Sequence, residues 1–191
     1  MVLIDSWSET NRDDSTPLVV LHPSAAGGQV SSVGNSFTCS VAGYNLSSAK
    51  FYLQKVGTPV GNLVAILYAV TGTYGTDNCK PTGIALATSN TVAMGGLSTS
   101  WTLTEFTFPV PRYGLAINYY FIQCQVQSAT TIDTTTNYVR VGEDAGGGHS
   151  GNYSQYVNGE WISYTLDDCF YVYGELGVVT VKRRLLMGVG L

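Results

Sequence analysis

The feature that most limits the fold of this chain is a series of short segments in which apolar and polar residues alternate, separated by turn residues. Phe37, Cys39 and Val41 alternate with polar neighbours, and the same period of two recurs around Phe51 and Leu53. This alternation is typical of strands with one buried face, whereas no stretch shows the period of about 3.6 residues of an amphipathic helix. The pattern therefore predicts an all-β protein, an antiparallel β-sandwich of jelly-roll type.

Two longer segments are apolar on both faces over most of their length. These are residues 63–70 and residues 116–126. A strand that is apolar on both faces is typical of the middle of a sheet, where neither face contacts water. We therefore expect both segments to be central strands.

The two ends of the chain differ in composition from this alternating body. We predict an N-terminal arm over residues 1–34, the sandwich domain over 35–174 and a C-terminal strand or tail over 175–191. Exposed apolar strands recruit partners, so both ends are candidates for contacts between subunits, while a further edge strand of the same sandwich is the alternative for the tail. The candidate assembly residues are Val2, Leu3, Ile4, Val179, Val181, Leu185 and Leu186.

The low charge of the chain raises the question of a membrane protein. Charged residues make up 12% of the chain, about half the usual share. No run approaches the roughly 18 consecutive apolar residues that cross a bilayer. The first ten residues also lack the basic start and long apolar core of a secretory signal. We therefore expect no membrane partner and no export by the usual signal route.

The distribution of charge also argues against binding to nucleic acid. The net charge is −4, and three of the nine basic residues are Lys182, Arg183 and Arg184, so the remainder of the chain carries −7. A surface with this excess of acidic groups repels a phosphate backbone. We therefore expect no nucleic-acid partner.

The cysteines and histidines do not form a pattern typical of a catalytic or metal centre. No two of the four cysteines form a C-x-x-C pair, so zinc is not expected, and we predict free thiols, with a Cys39–Cys169 bridge as the alternative. His149 follows three glycines, which predicts a flexible loop tip rather than the firmly held histidine that hydrolysis requires. We therefore predict no enzyme activity, no catalytic residue, no metal site and no cofactor. A structural calcium ion held by carboxylates such as Asp167 and Asp168 remains open.

Aromatic residues cluster after this glycine-rich loop. Tyr153, Tyr156 and Trp161 lie within nine positions of one another. Aromatic faces at the edge of a sandwich stack on sugar rings, which makes these three residues candidates for carbohydrate binding. The favoured alternative is structural, because buried aromatic side chains contribute strongly to the stability of a core.

Several motifs occur in the order and spacing of a family of jelly-roll-like domains. They are LIDSWSETN at 3–11, SFT at 36–38, SAKFYLQK at 48–55, GTPVGN at 57–62, PTGIALATS at 81–89, FTF at 106–108 and FYVYG at 170–174. Over about residues 1–174 the chain resembles domains found in bacteriophage and environmental virus proteins and in bacterial surface or secreted proteins. The resemblance implies an accessory binding or decorating module without a catalytic signature.

These observations together predict a non-enzymatic structural component of a virion. The expected protein is a capsid decoration (cement) protein or a head fibre at the virion surface, assembled in the host cytoplasm, with other virion proteins and copies of itself as partners. The alternative is a carbohydrate-binding module of a phage tail or a bacterial surface protein.

Overall fold

The computed structural model describes residues 1–18, 30–110, 113–133 and 135–177. These residues form strands and two single-turn 3₁₀ helices, Glu9–Asn11 and Met94–Gly96. None of the described helices is long and apolar enough to cross a membrane. The strands are β1 (Val2–Trp7), β2 (Asp14–Leu18), β3 (Val30–Cys39), β4 (Tyr44–Val56), β5 (Val60–Thr71), β6 (Lys80–Thr88), β7 (Val92–Ala93), β8 (Thr102–Thr107), β9 (Gly114–Leu115), β10 (Asn118–Thr131), β11 (Tyr138–Asp144), β12 (Tyr153–Val157), β13 (Glu160–Tyr164), β14 (Asp167–Asp168) and β15 (Phe170–Leu176).

The strands form two antiparallel sheets, which confirms the predicted all-β sandwich. The first sheet has the order β1-β15-β4-β11-β14, with β2 paired to β11 and with β8 and β9 paired to β4. The second has the order β13-β12-β3-β10-β5-β6, with β7 paired to β5. Jelly-roll connectivity within this sandwich stays a prediction.

The core lies between the two sheets and follows from the alternation in the sequence. On β10, Tyr120, Ile122 and Cys124 point into the core, and on β4 Phe51 and Leu53 do so from the other sheet. The expectation of two central strands is confirmed, because β5 lies between β10 and β6 and β10 lies between β3 and β5.

The described part of the predicted N-terminal arm belongs to the first sheet instead of extending away from it. Strand β1 pairs with β15 from Val2↔Gly174 to Trp7↔Phe170, and β2 pairs with β11. The boundary predicted at residue 34 falls inside β3. The sequence was misleading here because edge strands need only one apolar face and can carry polar residues such as Asp14 and Ser15.

The C-terminal segment is described only at its start. Strand β15 continues to Leu176, so the first residues after the predicted boundary at 174 extend that strand. The assembly candidates Val179, Val181, Leu185 and Leu186 lie outside the described residues.

All four cysteines are buried and free, which confirms the prediction of free thiols. Cys39 and Cys124 face the core between the sheets. Full burial raises the pKa of the Cys124 thiol well above its ordinary value, because the thiolate would lose its hydration. These thiols therefore behave as small apolar side chains.

Candidate functional site

The outer face of the second sheet is concave, because the two edges of that sheet approach each other. Strand β13 at one edge and β6 at the other are joined where Lys80 Nζ donates a hydrogen bond to the carbonyl oxygen of Trp161, at 3.0 Å. The intervening strands β12, β3, β10 and β5 form the bottom of the resulting groove. The curl of the sheet therefore produces a groove on the side that faces away from the core.

The floor of the groove is polar. It consists of Gln123 and Gln125, alternate residues of β10, and of Ser32 on β3, which is paired with Gln125. Gln123 Nε2 donates to Gln125 Oε1 at 2.7 Å, and Ser32 Oγ donates to the carbonyl oxygen of Cys124 at 3.3 Å. These bonds engage Gln123 Nε2 and the Ser32 hydroxyl group, and neither of them supplies a donor to Gln123 Oε1.

One acceptor on this floor has no partner. Gln123 is 1% exposed, and its Oε1 makes no hydrogen bond within the described structure. A buried carbonyl oxygen without a donor costs roughly 1–3 kcal/mol, so most such atoms in proteins are paired. A molecule in the groove that offers an O–H or N–H group would supply the missing bond.

Aromatic side chains form the walls. On one side, the rings of Tyr156 and Trp161 lie 5.2 Å apart at 55°, and Trp161 also packs edge-on against Phe121 at 5.2 Å. On the other side lie Tyr68 and the segment 81–83 at the start of β6. The space between the walls is about 290 Å³.

The hydroxyl groups of the two tyrosines lie on opposite walls and influence each other. Partial burial raises the pKa of Tyr68, and the nearby Tyr156 hydroxyl raises it further. Tyr68 therefore stays protonated and neutral at ordinary pH. Among the described residues that line the groove, none is charged, so the groove suits a neutral ligand.

Tyr156 and Trp161, two of the three predicted carbohydrate-binding residues, are brought together in this groove. The third, Tyr153, is a correction: it is fully buried and packs in the core between the sheets. The reason is the period of two in a strand, since Tyr153 lies three positions before Tyr156 and so points to the opposite face of β12.

Sequence reasoning missed Tyr68, Gln123 and Gln125. The sequence does contain a signal for the two glutamines. Gln123, Gln125 and Gln127 alternate with apolar residues on a strand that was predicted to be central. Polar residues on every second position of a central strand indicate a solvated second face. Tyr68 carries no comparable signal, since a tyrosine is common on any half-buried strand.

His149 is not the flexible loop tip that the sequence predicted. Its Nε2 lies 3.1 Å from Asp5 Oδ1, and its Nδ1 accepts the backbone N–H of Gly151 at 3.0 Å. Because Nδ1 accepts, Nε2 carries the proton and donates to Asp5. The ring is buried and packs edge-on against Trp7 and Phe170. With both nitrogens engaged, His149 ties its loop to β1.

Asp167, one of the two residues considered for calcium, has a buried side chain. Asp167 accepts hydrogen bonds from Asn35 Nδ2 at 2.6 Å and from the backbone N–H groups of Gly148 and His149 at 2.8 and 2.9 Å. Protein donors therefore satisfy Asp167 without a cation. Across the described ranges, no group of three or more His, Cys, Asp or Glu side chains is placed to hold a metal ion.

The assembly candidates at the N-terminus lie on an edge of the first sheet. Val2 and Leu3 are 42% and 48% exposed, whereas Ile4 is half-buried and packs against the core. In the described sheet, β1 has β15 as its one neighbour, so its other edge is open. Two of these three residues are therefore available to a partner.

Comparison of the chain with protein-family models, with curated proteins and with solved structures found no match. The geometry of the groove therefore carries the functional argument.

Proposed function

We propose that this protein is a carbohydrate-binding module that holds a neutral sugar in the groove between Tyr68 and Trp161. The observation that carries the proposal is the unpartnered Oε1 of Gln123 at the bottom of an aromatic-walled groove. A sugar hydroxyl supplies the donor that this oxygen lacks, while the apolar face of the ring packs against Trp161 or Tyr156.

The chemistry of the groove favours a sugar over other small molecules. Phosphate, sulfate and carboxylate groups only accept hydrogen bonds when ionised, so they cannot supply the donor that Gln123 Oε1 lacks. The uncharged lining of the groove gives no compensation for burying an anion. Neutral hexoses combine several O–H donors with an apolar ring face, which matches both the floor and the walls.

The proposal is tested with an array of neutral and acidic glycans, followed by titration calorimetry with the best ligand. We expect binding to neutral glycans, lost by more than about tenfold in Trp161→Ala, which removes a stacking surface. Gln123→Met keeps the volume and removes the acceptor, and we expect binding about tenfold weaker, equivalent to one hydrogen bond. Because Trp161 covers Phe121, the Gln123→Met variant keeps the test valid if Trp161→Ala unfolds.

The matched control is Trp101→Ala. Trp101 stacks on Tyr52, a residue of β4 in the other sheet, with ring centroids 5.3 Å apart. This variant loses a tryptophan of similar burial and should bind glycan as the wild type does. The proposal is wrong if no neutral glycan binds, or if Gln123→Met binds as tightly as the wild type.

A second function, as a virion structural protein, is favoured by a different observation. Among the described strands, β1 is paired on one edge only, and it carries exposed apolar side chains, with Met1 75%, Val2 42% and Leu3 48% exposed. Such an edge is a site for strand addition or apolar packing by a neighbouring subunit. A capsid decoration protein or head fibre at the virion surface would use this edge to bind other virion proteins or copies of itself.

This second function is tested by co-sedimentation of the protein with intact particles of a virus that encodes it. We expect Leu3→Lys to prevent association, because a charge at this edge opposes apolar packing. Val60→Lys, at an equally exposed site on the second sheet, is the control and should still associate. Equal association of both variants would contradict a role for this edge.

A further inference from the structure

We infer that the groove binds the terminal residue of a sugar chain and does not bind an internal stretch of it. This inference rests on the proposed function and concerns which part of a glycan enters the groove. It follows from the shape of the groove, which is closed at one end.

The exposure of alternate residues along β10 shows where the groove is closed. On the groove face of this strand, Phe121 is fully buried and Gln123 is 1% exposed, whereas Gln125 is half-buried and Gln127 is exposed. Access to solvent therefore increases steadily from Phe121 to Gln127. The groove is blind at Phe121 and opens past Gln125.

Three contacts close the blind end. The Trp161 ring covers Phe121, and Lys80 Nζ bonds to the Trp161 carbonyl oxygen across the sheet edges. Further on, Asn152 Nδ2 donates to the carbonyl oxygen of Cys79 at 2.7 Å and joins the residue before β12 to the residue before β6. Cys79 is itself fully buried. From these contacts we place the blind end of the groove at Phe121.

A blind groove accommodates a glycan only in one direction. An internal residue is linked on both sides, and one of its linkages would have to pass through the closed end. A terminal residue enters with its free side first, and the rest of the chain leaves past Gln127. The volume of about 290 Å³ is just below the roughly 300–1,000 Å³ of most ligand pockets, which suits one or two rings.

The unpartnered acceptor supports the same orientation. Gln123 is the next residue after Phe121 on the groove face of β10, and its buried Oε1 needs a donor. The position at which a chain would continue carries a hydroxyl in a terminal residue and a proton-free glycosidic oxygen in an internal one. A terminal residue therefore offers one more donor at the point where the groove needs it.

The test uses the sugar that the wild-type protein binds on the array. Calorimetry compares its methyl glycoside, its linear oligomers of two to four units, and the same oligomers capped at the non-reducing end by a different sugar. We expect Kd values within about threefold across the uncapped series, and binding at least tenfold weaker for the capped chains. Equal binding of capped and uncapped chains, or a steady gain with each added unit, would overturn the inference.

A second measurement locates the bound residue directly. Saturation-transfer NMR on an uncapped trisaccharide should give the strongest signals on the terminal residue, decreasing along the chain. Uniform signals on all three rings would contradict terminal recognition and leave the proposed function intact. If no neutral glycan binds at all, the proposed function itself is wrong.

Discussion

The hydroxyl group of Tyr153 donates a hydrogen bond to the carboxyl group of Glu143, and this contact joins the two sheets inside the core. Tyr153 belongs to β12 in the second sheet, and Glu143 belongs to β11 in the first. Both are almost completely buried. Gln155 Nε2 donates to the same tyrosine oxygen at 2.7 Å. Since Tyr156 of the groove lies three residues along the same strand, this contact holds a groove wall in position from behind.

Replacing Tyr153 by phenylalanine should destabilise the protein by about 1–3 kcal/mol, because the Glu143 carboxyl group then loses a donor in a buried place. The free energy of unfolding is measured in urea. Tyr164→Phe is the control, since Tyr164 is exposed on β13 and its change should stay within about 0.5 kcal/mol. Equal midpoints for both variants would show that the bond between the sheets contributes nothing.

Glu143 should make stability depend on pH. Burial raises its pKa from 4.5 to about 7, although hydrogen bonds from Tyr153 and Thr16 oppose the shift. Between these two values the unfolded chain is ionised at Glu143 while the folded chain keeps the proton. The folded state is therefore favoured at low pH and loses roughly 3 kcal/mol as pH rises from about 4.5 to about 7, then no more.

The measurement compares wild type with Glu143→Gln in urea at several pH values, because the difference cancels the contributions of the carboxyl groups that do not interact with Glu143. We expect the stability of the wild type relative to the variant to decrease across this window and to level off above it. If the free energies of unfolding of the two proteins changed in parallel with pH, Glu143 would titrate normally in the folded protein.

Asp168 should show a related effect over a wider range. It is paired with Glu143 in the β11–β14 register, and neither of its carboxyl oxygens has a hydrogen-bond partner in the described structure. Complete burial raises its pKa well above 3.8, and the negative charges of Glu143 and Asp167 raise it further. Above about pH 4 the unfolded chain is ionised at Asp168, whereas the folded chain keeps the proton. Each rise of one pH unit, up to the folded pKa, therefore lowers the stability of the wild type.

Asp168→Asn removes this ionisation and keeps the shape of the side chain. We expect the variant to be more stable than the wild type at pH 8 and the advantage to shrink toward pH 4. Thermal unfolding at the two pH values measures the difference. A wild type that is the more stable of the two at pH 8 would show that the ionised carboxylate is stabilised in the fold.

The alternation of residues made the sandwich predictable, because a period of two directly specifies which side chains of a strand face a core. Phe37 and Phe51 were assigned to strands for this reason, and both are fully buried. The groove was not predictable in the same way. Its walls and its closed end depend on contacts such as Lys80 with Trp161, which are 81 positions apart. No local pattern specifies how far a sheet curls.

His149 illustrates the same limit. Its three preceding glycines favour a mobile loop, yet it is held by Asp5, which lies 144 positions earlier in the chain. Burial opposes ionisation of Asp5, but hydrogen bonds from His149 and from the backbone of Thr38 outweigh it and lower its pKa. The loop is therefore fixed by a distant strand, and neither its glycines nor its neighbours in sequence indicate that contact.

Gly34 should be essential for the floor of the groove. It lies on β3 opposite Gln123 of β10 and Ser154 of β12. A Cβ atom at this position would lie 2.2 Å from the carbonyl oxygen of Ile122 and 2.7 Å from the Cα atom of Gln123. Both are backbone atoms of a central strand and cannot move aside, so Gly34→Ala must push β3 away from β10.

We expect Gly34→Ala to lower the free energy of unfolding by roughly 3 kcal/mol, at the upper end of the usual cost of overpacking. Gly96→Ala is the matched control, because a Cβ atom there meets nothing within 4 Å and the residue lies in a short helical turn. Its stability should stay within about 0.5 kcal/mol of the wild type. If urea unfolding gave the two variants the same midpoint, β3 and β10 could not approach each other as closely as described, and the floor around Gln123 would be built differently.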